Sequence, residues 1–233
     1  MARTFVIGDI HGAYPALKQC LNMSEFDYNS DRLICLGDVC DGWPQVKESV
    51  EELLKIRNLI YIMGNHDDWA LKWFETGIIK EAWKLQGGES TINSYERNIP
   101  ESHVHFLLNA RDYFIENNIL FVHGGIEPGI SIEKQTREIF LWNRSLVKQA
   151  VYFSSRDECI ELGSYTEIYV GHTPTLNFNS LVPVKFCNVW LMDTGAGWSG
   201  GCLSMMEVST GKIFRSKPVD EFFPDFKGRN KLF

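Results

Sequence analysis

The sequence lacks the features that mark membrane proteins and proteins that bind nucleic acid by charge. None of its apolar runs approaches the roughly 20 residues that a membrane-spanning helix needs, and the first residues, MARTFVIGD, run into a predicted strand without a signal peptide. Positive charge is scarce, since 23 Lys and Arg face 30 Asp and Glu for a net charge of −7. That balance argues against non-specific binding to nucleic acid or acidic membranes. We therefore expect a soluble, cytoplasmic protein with no membrane partner and no stable nucleic-acid binding.

Cysteine is sparse and unpatterned. The six cysteines are scattered, with no C-x-x-C pair and no spacing typical of a zinc site or a disulfide framework. We expect all six to be reduced thiols, as is usual in the cytoplasm.

The composition is that of a folded α/β protein. Hydrophobic residues make up 44% and aromatic residues 13% of the 233-residue chain, a length that suits one α/β domain better than two. Repeats, linkers and low-complexity segments are absent. We predict a single domain over residues 1–233, with the helix-rich segment 69–109 as an insertion that caps the functional site and with an irregular aromatic tail from residue 218.

Six short apolar runs predict buried strands. Each run is nearly continuous rather than alternating and ends near a glycine, a pattern typical of strands with helices on both sides of a sheet. Helical periodicity over residues 13–21 and 44–57 supplies such helices. The runs are TFVIG (4–8), RLICLG (32–37), LIYIMG (59–64), ILFVHG (119–124), EIYVGH (167–172) and NVWLMDTG (188–195).

Polar side chains follow five of these runs, at the point where each predicted strand ends. Ligands of open α/β sheets bind outside the carboxyl ends of the strands, so the loops there bring their side chains to one rim. The donors are carboxylate, amide and imidazole groups. They belong to Asp9, His11, Asp38, Asn65, His123 and His172.

This mixture of nitrogen and oxygen donors predicts a site for first-row divalent ions, with manganese favoured and iron or zinc as alternatives. It is too rich in nitrogen for calcium or magnesium. Six ligands exceed what one ion with an open position needs, so we expect two ions with Asp38 as the bridging carboxylate. A single strand-end histidine is more often structural than a ligand, but four of the six histidines stand at such positions. The other two, His103 and His105, are predicted to be surface or helix residues.

The series GDIHG (8–12), GDVCD (37–41), GNHD (64–67), HGG (123–125) and GHT (171–173) resembles the signature of PPP-type, calcineurin-like metallophosphoesterases. Within this family it is most similar to the bacterial and lambda-phage-type serine/threonine protein phosphatases, with further matches in FLWNRSLV (140–147) and LMDTGAGWSGG (191–201). The resemblance implies an αββα sandwich with mixed sheets flanked by helices and a dinuclear metal site at one edge.

The resemblance also assigns roles by motif. Asp9, His11 and Asp38 would hold one metal, and Asp38, Asn65, His123 and His172 the other. His66 would be the general acid, kept charged by Asp41, and Arg144 would grip the substrate phosphate. A hydroxide bridging the metals would attack a phosphomonoester.

Two positions depart from the family pattern. Arginine usually follows the second aspartate of the second motif, where this chain has Gly42, and glutamate usually stands at Asp67. Without the expected cation, either Arg144 carries the phosphate alone or the substrate is a diester or dinucleotide, with Trp43 available to stack on a base. We favour the first interpretation, since Trp43 is equally explained by packing over the next helix.

Three functions therefore remain open. The leading hypothesis is a metal-dependent serine/threonine protein phosphatase acting on a phosphoprotein or a small phosphoester. The alternative within the same class is a hydrolase of symmetrical dinucleoside tetraphosphates or other nucleotides. A pseudo-enzyme that binds phospho-ligands without turnover is kept open by Gly42 and opposed by the intact ligand set.

Overall fold

The apolar runs form strands in the computed structural model, which describes residues 2–96 and 98–229. All six contain a strand, and four further strands occur at positions that the pattern did not predict. The unpredicted strands pair antiparallel with their neighbours and are three or four residues long. The strands are β1 (Thr4–Ile7), β2 (Arg32–Cys35), β3 (Asn58–Tyr61), β4 (Tyr113–Glu116), β5 (Ile119–Val122), β6 (Glu167–Val170), β7 (Val184–Phe186), β8 (Val189–Leu191), β9 (Ser204–Glu207) and β10 (Ile213–Arg215).

These strands make two mixed sheets of five strands each. The first has the order β10-β9-β1-β2-β3, with β1, β2 and β3 parallel. The second has the order β4-β5-β6-β8-β7, with β5, β6 and β8 parallel. Because parallel strands end at the same edge, each sheet collects its carboxyl-terminal loops on one side.

Three apolar layers hold the sheets and helices together. Side chains such as Val6 and Ile34 of the first sheet meet Phe121 and Tyr169 of the second in a buried layer between the sheets. Neighbouring residues on the same strands, such as Phe5, face the helices of the other side because side chains alternate along a strand. A third layer lies between the second sheet and its helices. The predicted αββα sandwich of mixed sheets flanked by helices is confirmed.

The first predicted helix forms close to its expected bounds, whereas the second, expected over residues 44–57, is shorter and spans Val46–Leu53. Leu17 and Cys20 are buried on the inner face of the first helix, as predicted. In the second, Val50 is buried but Leu54 lies just past the last helical residue and is exposed, contrary to the expected apolar face. The helices are α1 (Tyr14–Met23), α2 (Val46–Leu53), α3 (Asn65–Thr76), α4 (Glu81–Trp83), α5 (Glu89–Tyr95), α6 (Glu101–Leu108), α7 (Arg137–Trp142) and α8 (Ser145–Ser154).

Segment 69–109 is built from α3 to α6 and a π-helical turn, Lys84–Gly88, that joins α4 to α5. His103 and His105 lie in α6, and they belong to neither of the clusters that could hold a metal in the part of the chain described. Whether the segment is a separate insertion within a single domain stays a prediction. No helix within residues 2–96 and 98–229 is long and apolar enough to cross a membrane.

One expectation about cysteine is wrong. Cys159, in the loop after α8, and Cys187, in the turn between β7 and β8, form a disulfide. The 28 residues between them give no sequence signal, because the packing of α8 against β7 brings the two together. The other four cysteines are free and buried.

Candidate metal centre and active site

The site forms where loops after β1, β2, β3, β5 and β6 converge between the two sheets. Four of its residues have the left-handed backbone conformation, with φ of 51° at His11, 52° at Asp38, 72° at Asp41 and 60° at His172. This conformation is costly for residues other than glycine, and it is enriched at functional sites, where the surrounding structure enforces it. The loops therefore hold these side chains in fixed positions.

Asp9, His11 and Asp38 form the first cluster, in which one ligand atom of each lies within 4.8 Å of the others. His11 Nδ1 is 2.9 Å from the Cys40 carbonyl oxygen. A carbonyl only accepts, so Nδ1 carries the proton and Nε2 keeps a lone pair for a ligand. The Asp9 carboxylate accepts the His172 N–H at 3.1 and 3.2 Å, which joins this cluster to the next.

Asp38, His123 and His172 form the second cluster within the same 4.8 Å limit, so Asp38 is common to both. His123 Nδ1 donates to the Leu36 carbonyl at 2.7 Å and thereby leaves Nε2 for a ligand. The Asn65 Oδ1 atom lies 2.9 Å from His123 Nε2 and 2.8 Å from His172 Nδ1. The structure thus brings all six predicted ligands together, and all six are buried.

The electrostatics of these clusters fit divalent cations. Burial, with the nearby carboxylates of Asp193 and Asp38, raises the pKa of Asp9 well above its usual value. Burial also lowers the pKa of His11 and of His172, which favours neutral imidazoles with free lone pairs. His172 Nε2 is buried without a hydrogen-bond partner among the described residues. Metal ions would offset the buried carboxylate charge and occupy these lone pairs.

The predicted acid and its orienting carboxylate are in contact. His66 Nδ1 lies 2.5 Å from Asp41 Oδ2, and Asp41 also accepts hydrogen bonds from Trp83 Nε1 at 2.8 and 3.0 Å and from Thr91 Oγ1 at 2.6 Å. Burial raises the pKa of Asp41 to about 7 despite the Thr91 and Trp83 bonds, and burial lowers the pKa of His66. The sequence predicts that Asp41 keeps His66 protonated, but both pKa shifts disfavour the ion pair of a protonated His66 with an ionised Asp41. The role of His66 as the acid therefore stays a prediction.

Asp67 organises the loop that carries Asp38. Its carboxylate accepts the backbone N–H groups of Asp38 at 2.7 Å, Cys40 at 3.1 Å and Gly64 at 3.0 Å, and the Tyr61 hydroxyl at 2.7 Å. Four donors on one buried carboxylate explain how the shorter aspartate serves where the family pattern has glutamate. The loop geometry at the shared ligand therefore depends on Asp67.

A cleft of about 500 Å³ opens over the two clusters. Arg144 lines it and donates through Nη2 to the His172 carbonyl at 3.3 Å. Trp142, whose ring meets the His172 ring edge-on at 5.7 Å, forms part of the wall and is 36% exposed. The lining residues are Asp9, Asp38, Asn65, His66, Gln86, Trp142, Arg144, His172, Pro174, Leu176, Asn177, Trp198 and Arg229.

Trp43 cannot stack on a base, contrary to one of the interpretations of the sequence. Its side chain is fully buried, its Nε1 donates to the Ala196 carbonyl at 2.6 Å, and its ring stacks on Phe223 at 5.3 Å. The tail therefore covers this tryptophan, which serves packing.

Sequence reasoning missed two site residues. Asp193 is fully buried beside Asp9, and burial raises its pKa to about 6 although the Gly195 N–H bond lowers it. It ends the sixth apolar run, so the rule that found the other donors could have found it. Arg229, from the tail, lies against His11 with Nη1 3.1 Å from His11 Nε2, and no local sequence signal points to it.

The sequence is similar to proteins named "Bis(5'-nucleosyl)-tetraphosphatase, symmetrical". The protein of that name from Buchnera aphidicola is 24% identical over 91% of this chain and 96% of its own length. Those from Pseudomonas fluorescens and Pseudomonas syringae pv. tomato are 29% and 27% identical over 56% and 58% of this chain, but over only 45% and 44% of their own lengths. The chain thus aligns with about half of these two relatives.

Solved structures share the fold. A protein assigned as a diadenosine tetraphosphatase has a TM-score of 0.68, with 18% identity over 93% of this chain and 94% of the other. A serine/threonine phosphatase from Saccharomyces cerevisiae has a TM-score of 0.63, with 14% identity over 97% of this chain and 82% of the other. A sequence model of the calcineurin-like phosphoesterases matches residues 2–210. The chain therefore belongs to the calcineurin-like phosphoesterase family, and the predicted enzyme class, a metal-dependent phosphoesterase, is confirmed.

Proposed function

We propose that this phosphoesterase hydrolyses nucleotide polyphosphates, with symmetrical dinucleoside tetraphosphates as the preferred class. The observation that carries this proposal is the wall of the cleft, which is lined by the exposed ring of Trp142, the half-buried ring of Trp198 and the Arg144 side chain. Aromatic faces bind nucleobases by stacking, and a guanidinium binds phosphate oxygens through paired donors. The similarity to the named tetraphosphatases supports the same conclusion.

Two divalent ions fit the site, with one held by Asp9, His11 and Asp38 and the other by Asp38, Asn65, His123 and His172. When bound, such ions polarise phosphoryl oxygens and make water a stronger nucleophile. Manganese, iron and zinc all accept this donor set, and the identity of the native pair stays a prediction.

The remaining residues act on the ester. Arg144 lines the cleft and binds the phosphate group of the substrate. His66 lines the cleft and delivers a proton to the leaving oxygen, while Asp41 fixes the imidazole by accepting from Nδ1. Trp142 and Leu176 extend the cleft beyond the phosphate with apolar surface, as a nucleoside requires.

The experiment is a product analysis with three substrates at equal concentration. Diadenosine tetraphosphate, a phosphoserine peptide and p-nitrophenyl phosphate are each incubated with protein loaded with Mn, Zn or Fe and with metal-free protein. Symmetrical cleavage gives only the nucleoside diphosphate, and we expect the highest kcat/KM for the dinucleotide. A higher value for the peptide, or products other than the diphosphate, would reject the proposal; no turnover of any substrate would identify a pseudo-enzyme.

The second candidate is the serine/threonine protein phosphatase of the sequence analysis. One observation favours it, because a buried pair like His66 and Asp41 assists most when the leaving group is a poorly acidic alcohol such as a serine hydroxyl. A nucleoside diphosphate leaves with far less help from an acid. The phosphoserine peptide in the same assay decides between the two.

A further inference from the structure

Gly42 leaves a gap in the positive charge of the site, because the family pattern has arginine there. Its φ is +87°, in the left-handed region, and a Cβ atom at this position would lie 3.1 Å from the His11 Cβ. The same Cβ would lie 3.4 Å from Cγ of Arg229. The space beside the second motif is thus filled by an arginine that arrives from the other end of the chain.

The stem of Arg229 runs between three glycines. A Cβ on Gly87 would come within 3.0 Å of Arg229 Cγ, and a Cβ on Gly197 within 3.0 Å of Arg229 Cδ. Together with Gly42, three glycines from three separate segments surround one side chain. A Cβ at Gly87 or Gly197 would crowd the arginine stem and a Cβ at Gly42 would touch it, so the passage fits a long, thin side chain.

The backbone of the tail is fixed at the mouth of this passage. The Arg229 N–H donates to the Gly197 carbonyl at 2.8 Å, and Gly228 forms a β-bridge with Trp198. Earlier in the tail, Phe223 stacks on Trp43. These contacts set the point at which the guanidinium enters the cleft.

The head group lies in the cleft with donors to spare. Arg229 Nε donates to the Gln86 carbonyl at 3.2 Å, Nη1 donates to His11 Nε2 at 3.1 Å, and the guanidinium lies 4.6 Å from the centre of the Trp198 ring. The lone pair of His11 Nε2 is the one that a metal ligand needs. A metal bound there would take the lone pair, and within residues 2–96 and 98–229 the Nη groups of Arg229 would then have no hydrogen-bond acceptor, so that a ligand could supply one.

We infer that Arg229 is the second phosphate-binding cation of the site, which replaces in space the arginine that is absent at Gly42. Within residues 2–96 and 98–229, Arg144 and Arg229 are the arginines that line the cleft, and no lysine lines it. Arg144 lies in the loop before α8, which belongs to the side of the second sheet. Arg229 lies beside Gly42, in the loop after β2 of the first sheet, so the two arginines approach the clusters from different elements. In this arrangement both guanidinium groups can donate paired hydrogen bonds to the oxygens of one phosphate group over the clusters.

This inference rests on the phosphoesterase class and not on which ester is hydrolysed, so the test uses inorganic phosphate. Calorimetry measures the phosphate Kd of Mn-loaded wild type and of the variants Arg229→Met, Arg229→Lys and Arg144→Met. The control is Lys227→Met, which removes an exposed tail cation outside the cleft. KM and kcat for p-nitrophenyl phosphate are measured alongside, with thermal unfolding of every variant.

We expect Arg229→Met to weaken phosphate binding roughly 10- to 100-fold, the range for losing a charge-assisted pair, and to raise KM more than it lowers kcat. Arg229→Lys keeps the charge without the paired donors, so its phosphate Kd should lie between those of wild type and Arg229→Met. If Arg229→Met does not fold, Arg229→Lys is the variant that tests the inference. Lys227→Met should match wild type. A phosphate Kd within about twofold of wild type in both Arg229 variants overturns the inference, as does an equal loss in Lys227→Met. Neither result depends on whether a dinucleotide is cleaved.

Discussion

Trp83 donates its indole N–H to Asp41, the carboxylate that we propose orients the acid His66, and replacing Trp83 with phenylalanine tests this proposal. Its indole N–H reaches both oxygens of Asp41, at 2.8 and 3.0 Å, inside a fully buried environment. Phenylalanine keeps most of the ring and removes this donor. A hydrogen bond to a charged group contributes about 1.5–3 kcal/mol, so its loss disfavours the Asp41 carboxylate by that amount.

This loss corresponds to a rise of about 1–2 units in the pKa of Asp41, which burial already raises to about 7. A less acidic Asp41 competes better for the shared proton, and His66 then spends less time as an imidazolium. We expect kcat for an alkyl phosphate to fall roughly 10- to 100-fold, while kcat for p-nitrophenyl phosphate, whose leaving group needs no proton, changes by less than about threefold. His66→Asn sets the limit of this effect, at roughly 10²–10⁴ on the alkyl ester.

The assay is steady-state hydrolysis of both esters by wild type, Trp83→Phe and a matched control, Trp73→Phe. Trp73 packs 5.7 Å from Trp83 and lies in α3 without a hydrogen bond to Asp41, so its variant reports the cost of losing a buried indole. Equal losses on both esters in Trp83→Phe would refute the proton-transfer argument, because a general disturbance of the site affects both. No loss on either ester would show that the Trp83 hydrogen bond does not tune the His66–Asp41 pair.

Three further predictions concern the metals, the cleft and stability. Asp38 is shared by both clusters, so Asp38→Asn should abolish most of the stabilisation by Mn, which for wild type is about 2.7 kcal/mol at a Mn concentration of 100 times Kd. The increase in unfolding temperature on adding Mn measures this, with Asp225→Asn as the control. An increase equal to that of wild type would contradict the shared role of Asp38. Trp142→Ala should raise KM for the dinucleotide about 5- to 50-fold, as for lost base stacking, but leave KM for p-nitrophenyl phosphate nearly unchanged; equal effects would remove the stacking role. Burial opposes ionisation of Glu52, but hydrogen bonds from Lys18, Lys55 and Tyr28 outweigh it and lower its pKa from 4.5 to about 2. The carboxylate therefore stabilises the fold above pH 4.5, and this contribution is lost as the pH falls towards 2. In urea unfolding, the free energy of unfolding of Glu52→Gln should be about 1–2 kcal/mol below that of wild type at pH 6, and the difference should shrink at pH 3. A difference that does not change with pH would contradict this.

The convergence of the six candidate metal ligands could be predicted from the sequence, because each candidate stands in a loop at the end of an apolar run. A short apolar run ending in glycine becomes a buried strand, and parallel strands deliver their ends to one edge. Asp9, His123 and His172 are far apart in the chain, yet each stands directly after such a run. The same rule applies to buried Asp193, two residues after β8, so it identifies one more polar residue of the site than the six candidate ligands.

The failures share a different cause. The Cys159–Cys187 disulfide, the burial of Trp43 and the position of Arg229 all depend on which surface segments pack on each other after the sheets have formed. Such contacts carry no periodicity, and in the described part of the tail, residues 218–229, the one regular element is a 3₁₀ turn, Val219–Glu221. Sequence reasoning therefore works best for groups carried by regular elements and worst for groups carried by segments that pack last.

Gly42 illustrates how a local absence can mislead. Taken by itself, the missing arginine leaves Arg144 as the single phosphate-binding cation or points to a diester or dinucleotide substrate, and it keeps a pseudo-enzyme open. In the folded protein the stem of Arg229 passes close enough to Gly42 that a Cβ there would already touch it, and Gly87 and Gly197 lie along the same stem. The electrostatic attraction for a phosphate depends on the distance of each cation from the cleft and not on whether that cation lies in a sequence motif. A motif that has lost its cation is therefore evidence for lost function only after the surrounding volume has been searched for another.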